Sequence, residues 1–262
     1  MKKFIFALIM LTMCQVTYAK MHKEEIIYKD GDTQLKGYLF WEDSFDGTRP
    51  GIMVVHEWWG LNDYALLRAE MLAETGYVAF AADMYGDAKN TMHAKDAKAW
   101  MTQITSNIDN LTRRAKLGID ILKKQDNVDQ DKIAAIGYCF GGAAVMQLAY
   151  TGLDIKAVGS FHGSLPVATD EQAKKIKAKV YVAHGASDPM IPKERVVKFN
   201  EVLNKNGVDW EMNIYGGAKH AFTNPYADGY GLKALGYSPN ADRRSWLRLL
   251  GFLDAIFHDE ED

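Results

Sequence analysis

Cysteine is nearly absent from these 262 residues: Cys14 and Cys139 are the only two. Cys14 falls in an N-terminal segment expected to be removed, so the remaining chain holds one thiol and no internal disulfide framework. Long apolar runs are equally scarce. The stretch at residues 4–13 is too short to cross a bilayer, and no other run competes with it. A basic excess is missing as well, with 31 Lys and Arg against 34 Asp and Glu for a formal net charge of −3. That balance argues against nucleic acid or an anionic membrane surface as a partner. The sequence shows no internal repeat, low-complexity tract or interdomain linker. No G-x-G-x-x-G follows a strand, and His56-Glu57 lacks the spacing and companions of a metal site, so neither cofactor nor metal is expected.

What the N-terminus does have is a leader. Lys2 and Lys3 form a basic start, residues 4–13 an apolar centre, and Thr17-Tyr18-Ala19 a small-residue cleavage site. Residues 1–19 are therefore expected to be cleaved on export to the periplasm or beyond, leaving 20–262 as one domain. Leu11-Thr12-Met13-Cys14 hints at a lipoprotein signal, but Met13 stands where a small residue is needed, so anchoring at Cys14 is not expected. Loss of Lys2 and Lys3 takes the formal charge from −3 to −5.

Beyond the leader, strand and helix patterns alternate. Residues 26–28 and 35–40 read as two strands joined by the turn Lys29-Asp30-Gly31-Asp32. The apolar run at 51–56 reads as a strand covered on both faces and that at 132–137 as a buried strand, with further strands at 77–82, 155–161, 179–184 and 210–215. Helices are predicted over 62–75, with Asn62 as cap and Leu66, Leu67, Ala69, Leu72 and Ala73 as inner stripe, and over 108–124, 143–150, 193–206 and 242–257. Trp246, Leu249, Leu250 and Leu253 form the inner stripe of the last. Residues 84–106 read as a covering segment. Such alternation calls for right-handed crossovers and an α/β fold: a mostly parallel central sheet with helices on both faces and an antiparallel start.

The one retained thiol sits where this organisation converges. Gly137-Tyr138-Cys139-Phe140-Gly141 lies between a predicted strand and helix and matches the nucleophile elbow G-x-S-x-G, with cysteine for serine. A nucleophile forced onto so sharp a turn needs neighbours at −2 and +2 without side chains, or strand and helix would collide. The turn also places the sulfur at a helix N-terminus, where the dipole and free N–H groups favour thiolate. The bland reading of Cys139 is a small buried hydrophobe.

An activated cysteine needs a base, and the base an orienting group. In α/β-hydrolases these follow the nucleophile in the order acid, histidine, each in a loop after a strand. Asp188 follows the strand at 179–184, and His220 follows the strand at 210–215. Both loops should reach the sheet edge that carries the elbow. The oxyanion would be received by the N–H of Phe140 and by an N–H in His56-Glu57-Trp58-Trp59-Gly60, with Trp58 the choice.

With these residues in place, the chain resembles the dienelactone hydrolase family, the cysteine-nucleophile branch of the α/β-hydrolases, over about residues 24–258. The likeness rests on Val55-His56-Glu57-Trp58-Trp59-Gly60-Leu61, Ala82-Asp83-Met84-Tyr85-Gly86, Gly137-Tyr138-Cys139-Phe140-Gly141-Gly142, His184-Gly185 with Asp188, and His220 with Phe222. The resemblance implies attack by Cys139 on an ester or lactone carbonyl, His220 as base and Asp188 as its orienter. It also implies that Glu57 interacts with the resting thiol and helps ionise it. The other reading of Glu57 is a carboxylate that holds loop N–H groups.

Two positions depart from the family pattern. Where members acting on dienelactone hold the substrate carboxylate with two arginines, this chain has Asp87 and Asn224. An acid and a neutral amide cannot make bidentate charged contacts with a carboxylate. The expected small-molecule substrate is a neutral ester or lactone. Trp58, Trp59, Tyr85, Tyr138, Phe161 and Phe222, in loops at the same edge, are candidates to line its pocket, with ordinary packing the competing role for each. His162, after the strand at 155–161, reads first as a satisfied structural histidine and second as a pocket residue. The rival functions are acyl transfer on the same triad and a non-catalytic ligand-binding protein with a redox-sensitive thiol.

Overall fold

The computed structural model describes residues 20–258; the expected leader lies outside them. Strands β1 (Met21–Asp30) and β2 (Thr33–Glu42) pair antiparallel along their whole length, turning at Gly31 with φ 59°. Both run longer than the apolar pattern predicts. The outer part of β1 is an exposed edge carrying Lys23, Glu24, Glu25 and Lys29, so charge masks its extended backbone.

Six parallel strands follow: β3 (Arg49–Val55), β4 (Val78–Ala82), β5 (Val128–Tyr138), β6 (Ala157–Phe161), β7 (Lys179–Gly185) and β8 (Trp210–Tyr215). The sheet order is β1-β2-β4-β3-β5-β6-β7-β8, with β2 antiparallel to β4. β4 and β6 are buried at every position, as apolar runs without alternation require. The chain leaves β3 in one direction to form β4 and returns past it to form β5. A crevice therefore opens beyond the carboxyl ends of β3 and β5, the place where such sheets bind ligands.

Helices α1 (Asp63–Ala73) and α7 (Pro239–His258) bury one face of the sheet, while α3 (Ile108–Leu122), α4 (Phe140–Tyr150) and α6 (Lys193–Lys205) bury the other. The Asn62 side chain caps α1, accepting from the N–H of Ala65. The stripe of α1 differs from expectation. Leu66 and Leu67 are half-exposed, and the buried face runs through Tyr64, Ala65, Arg68, Ala69, Leu72 and Ala73. Arg68 can lie inward because its partners arrive from far along the chain, the Thr223 carbonyl from a loop and the Asp242 carboxylate from the first turn of α7. In α7, Leu249 and Leu253 are buried as expected, while Trp246 and Leu250 only partly are.

Two elements were not legible. Residues 84–106 contain α2 (Ala94–Thr105), of which only Ala97 and Ile104 are buried. So narrow an apolar stripe hides in a Lys- and Asp-rich segment. The one-turn helix α5 (Asp170–Ala173) is held by a capping box between Thr169 and Gln172.

Candidate active site

Cys139 occupies the turn between β5 and α4 with φ 54° and ψ −111°. Only surrounding structure can hold a non-glycine residue there, at a cost of about 1–3 kcal/mol. The flanking glycines are explained by close approach. A Cβ on Gly137 would lie 2.2 Å from the carbonyl carbon of Gly141, and one on Gly141 would lie 2.2 Å from the Val55 oxygen. Strand, elbow and helix thus meet with no room for a methyl group. Phe140 opens α4, so its N–H has no acceptor one turn back and remains free for a ligand oxygen.

The other groups arrive from neighbouring strand ends. Asp188, beyond β7, accepts from His220 Nδ1 at 2.7 Å through Oδ2 and from the Met190 N–H at 2.8 Å through Oδ1. His220 follows β8, in a turn where Ala221 adopts φ 57°. Its Nε2 is buried and has no nitrogen or oxygen partner among the described residues, which leaves the Cys139 sulfur as the group it meets. Burial works against charging this imidazole, but the neighbouring Cys139 sulfur and the Asp188 carboxylate outweigh it and raise the pKa to about 10. A cation so stabilised is suited to stand beside a thiolate.

Glu57 lies beyond β3 and is buried. Desolvation pushes its pKa up to about 7, against the opposing hydrogen bond from Asn224 and the charges of His220 and Arg68. Its loop is pinned by His56, whose Nδ1–H donates to the Glu57 carbonyl at 2.5 Å and whose Nε2 accepts from the Met84 N–H at 3.3 Å. That pattern assigns the neutral Nδ1–H tautomer, and burial holds the His56 pKa below its ordinary value. Tyr85 donates its hydroxyl to the Trp58 carbonyl at 3.2 Å, which fixes the segment carrying the expected second oxyanion donor. Asp83 accepts four backbone N–H groups, from Lys36, Tyr85, Gly86 and Ala88, at 2.8–3.1 Å.

The expected pocket aromatics divide. Tyr138, Phe161 and Phe222 are at most 1 % exposed and belong to the core beneath α1 and α7, so they do not line an open pocket. Side chains alternate along a strand, and the ends of β5 and β6 aim Tyr138 and Phe161 at that opposite face. Trp59 is also buried, stacked on Tyr230 with ring centroids 3.8 Å apart. His162 is wholly buried and hydrogen-bonded through both ring nitrogens, which removes it from the pocket surface. Tyr85 does border open space, a cavity of about 270 Å³ that includes Trp100, Lys89 and Arg114. Trp58 is half-exposed, so its ring keeps surface available.

Comparison with known proteins supplies the family. The pattern of the dienelactone hydrolase family matches residues 35–257. The chain belongs to the dienelactone hydrolase family. A dienelactone hydrolase-like promiscuous phosphotriesterase from metagenomic libraries superposes with a TM-score of 0.87 at 36 % identity, over 90 % of this chain and 98 % of that one. Protein usf of Aquifex pyrophilus is 33 % identical over 180 residues, 67 % of this chain and 77 % of its own. A putative carboxymethylenebutenolidase of Aquifex aeolicus is 29 % identical over the same shares. Membership makes this chain a hydrolase of ester or lactone bonds on an α/β-hydrolase fold.

Within the family, the two departures now have surroundings. Asp87 is exposed, with φ 52°, and accepts from the Gln34 side chain at 3.0 Å. Asn224 is fully buried, donating to Glu57 Oε2 at 2.6 Å and accepting from the Tyr226 N–H at 2.9 Å. Neither is a cation. The sequence did not single out the Asn224–Glu57 contact, nor Thr223 and Arg68 behind the elbow; each is a polar pair far apart in the chain with no local signature. Among the described residues, no group of three or more His, Cys, Asp or Glu could hold a metal ion, and no helix is long and apolar enough to cross a membrane.

Proposed function

We propose that this chain is an exported hydrolase of neutral carboxylic esters or lactones that works through an acyl-thioester on Cys139. The observation that carries the reading is the strained Cys139 beside a histidine whose cationic form its sulfur and Asp188 both stabilise.

Cys139 Sγ attacks the carbonyl carbon as thiolate, and the oxyanion accepts from the N–H groups of Phe140 and Trp58. Collapse expels the alcohol oxygen, which takes the proton from His220 Nε2, leaving the acyl group on sulfur. Neutral His220 then draws a proton from water as that water attacks the thioester. The second tetrahedral intermediate expels the thiolate, the acid departs, and the imidazolium–thiolate pair is restored. Asp188 keeps the imidazole oriented throughout. Glu57, whose pKa lies near 7, adjusts the charge felt by His220. Each oxyanion donor is typically worth about 3 kcal/mol in the transition state.

Support for a neutral substrate comes from the two departures. Asn224 spends its amide on Glu57, and Asp87 would repel a carboxylate. Support for export comes from the leader-like residues 1–19.

The test uses short-chain aryl esters with wild type and Cys139→Ala, together with intact-protein mass spectrometry. Loss of turnover in the folded variant, and an acyl adduct on Cys139 of wild type, are the expected results. Undiminished turnover by Cys139→Ala would refute the assignment. N-terminal sequencing of secreted material should begin at Lys20.

A further inference from the structure

His162 lies behind the nucleophile and takes no part in the steps above, yet it touches both halves of the machinery. The Cys139 N–H is shared between the Phe161 carbonyl at 2.9 Å and His162 Nδ1 at 3.1 Å. His162 Nε2 meets Thr223 Oγ1 at 2.7 Å, and Thr223 lies three residues beyond His220 in the same turn. The His162 and His220 rings pack edge to face with centroids 5.3 Å apart. His162 itself has φ 39° and donates its N–H to the Ala183 carbonyl at 2.8 Å, so its backbone is fixed to β7.

The turns that carry Cys139 and His220 each contain a non-glycine residue at positive φ, and this one ring spans them. Since Nδ1 accepts from a backbone amide, the neutral ring must carry its proton on Nε2 and donate to Thr223. Burial first, then the charges of His220 and Arg68, keep His162 neutral by holding its pKa well below the ordinary value. The chain of contacts continues outward. Thr223 Oγ1 bonds the Tyr64 hydroxyl at 2.6 Å, and Arg68 Nη2 donates to the Thr223 carbonyl and to Asp242 Oδ1, each at 2.5 Å.

We propose that His162 is a positioning residue: as the Nε2–H tautomer it bridges the amide of Cys139 to the side chain of Thr223, and so sets the separation of nucleophile and base. The inference rests on the proposed roles of Cys139 and His220. A misplacement of about 1 Å between reacting groups can cost roughly a hundredfold in rate, whereas substrate binding need not suffer.

The variants are His162→Phe, which removes both contacts, His162→Asn, whose Oδ1 can replace Nδ1 as acceptor for the Cys139 N–H, and Thr223→Val. We expect kcat on an aryl ester to fall about a hundredfold in His162→Phe with KM nearly unchanged. His162→Asn should regain most of that loss, and Thr223→Val should fall between. Should His162→Phe not fold, Thr223→Val against wild type and the His162→Asn rate carry the comparison. Nitrogen NMR of the wild-type imidazoles provides a reading independent of turnover, with His162 expected protonated on Nε2 alone. Equal impairment by Phe and Asn, an Nδ1–H tautomer, or kcat within threefold of wild type in His162→Phe while Cys139→Ala is dead would each overturn the inference. Turnover surviving in Cys139→Ala would instead remove the nucleophile, and with it this role.

Discussion

Asn224 donates its side-chain amide to the Glu57 carboxylate at 2.6 Å in a fully buried pair beside His220. This hydrogen bond is the strongest influence opposing the desolvation of Glu57. Removing it in Asn224→Leu should raise the Glu57 pKa above its present value of about 7. The corresponding limb of the kcat/KM pH profile should move upward by about one unit. An unmoved profile would show that Glu57 titration does not govern the rate.

The same carboxyl makes stability depend on pH. Its folded pKa, about 7, lies above an ordinary value of 4.5, so between these values the folded chain retains a proton that the unfolded chain releases. Stability contributed by protonated Glu57 is therefore full below about pH 4.5 and lost as pH rises toward 7. The loss amounts to roughly 3–3.5 kcal/mol at most. Glu57→Gln should flatten this slope, measured as urea midpoints at pH 5 and pH 8. A slope identical to wild type would place the proton elsewhere.

His220 owes part of its raised pKa to the sulfur beside it. Cys139→Ala should accordingly lower the pKa of His220 from about 10, read by NMR titration of the imidazole. Wild-type Cys139 should also be alkylated by iodoacetamide at pH 6 about tenfold faster than a free cysteine. A His220 titration indifferent to the substitution would remove the thiolate–imidazolium pair from the resting enzyme.

Arg68 and Asp242 form an ion pair with side chains 3 % and 15 % exposed. Breaking it in Arg68→Met should cost about 3–5 kcal/mol, because Asp242 is left charged and largely desolvated. The double variant Arg68→Met, Asp242→Leu should recover much of that loss, as judged by chemical denaturation. If the two single losses simply add, the pair is not coupled.

Much of this organisation was legible because it is periodic or sterically forced. The buried strands β4 and β6 fall within a residue or two of their apolar runs, since a sheet covered on both faces leaves no polar position to blur them. The elbow was legible because only glycine fits at 137 and 141, where the next atom is 2.2 Å from a Cβ. The α2 helix was not, because a solvated helix with two buried residues has little pattern to display. Nor could the pattern tell which aromatics face the crevice; Tyr138 and Phe161 lie next to the site in sequence and turn their rings to the other side of the sheet.

Taken alone, then, the chain determined its α/β order, its family and the elbow around Cys139, since each follows from local periodicity or from contacts a few residues apart. Only the tertiary structure decided that Asn224 engages Glu57, that Arg68 lies inward, and that His162 ties the Cys139 turn to the Thr223 turn. Those pairings join residues 23 to 174 positions apart in the chain, the outermost being Cys139–His162 and Arg68–Asp242. A buried polar group must find a partner somewhere, but nothing local says where; the crossing of the strands does.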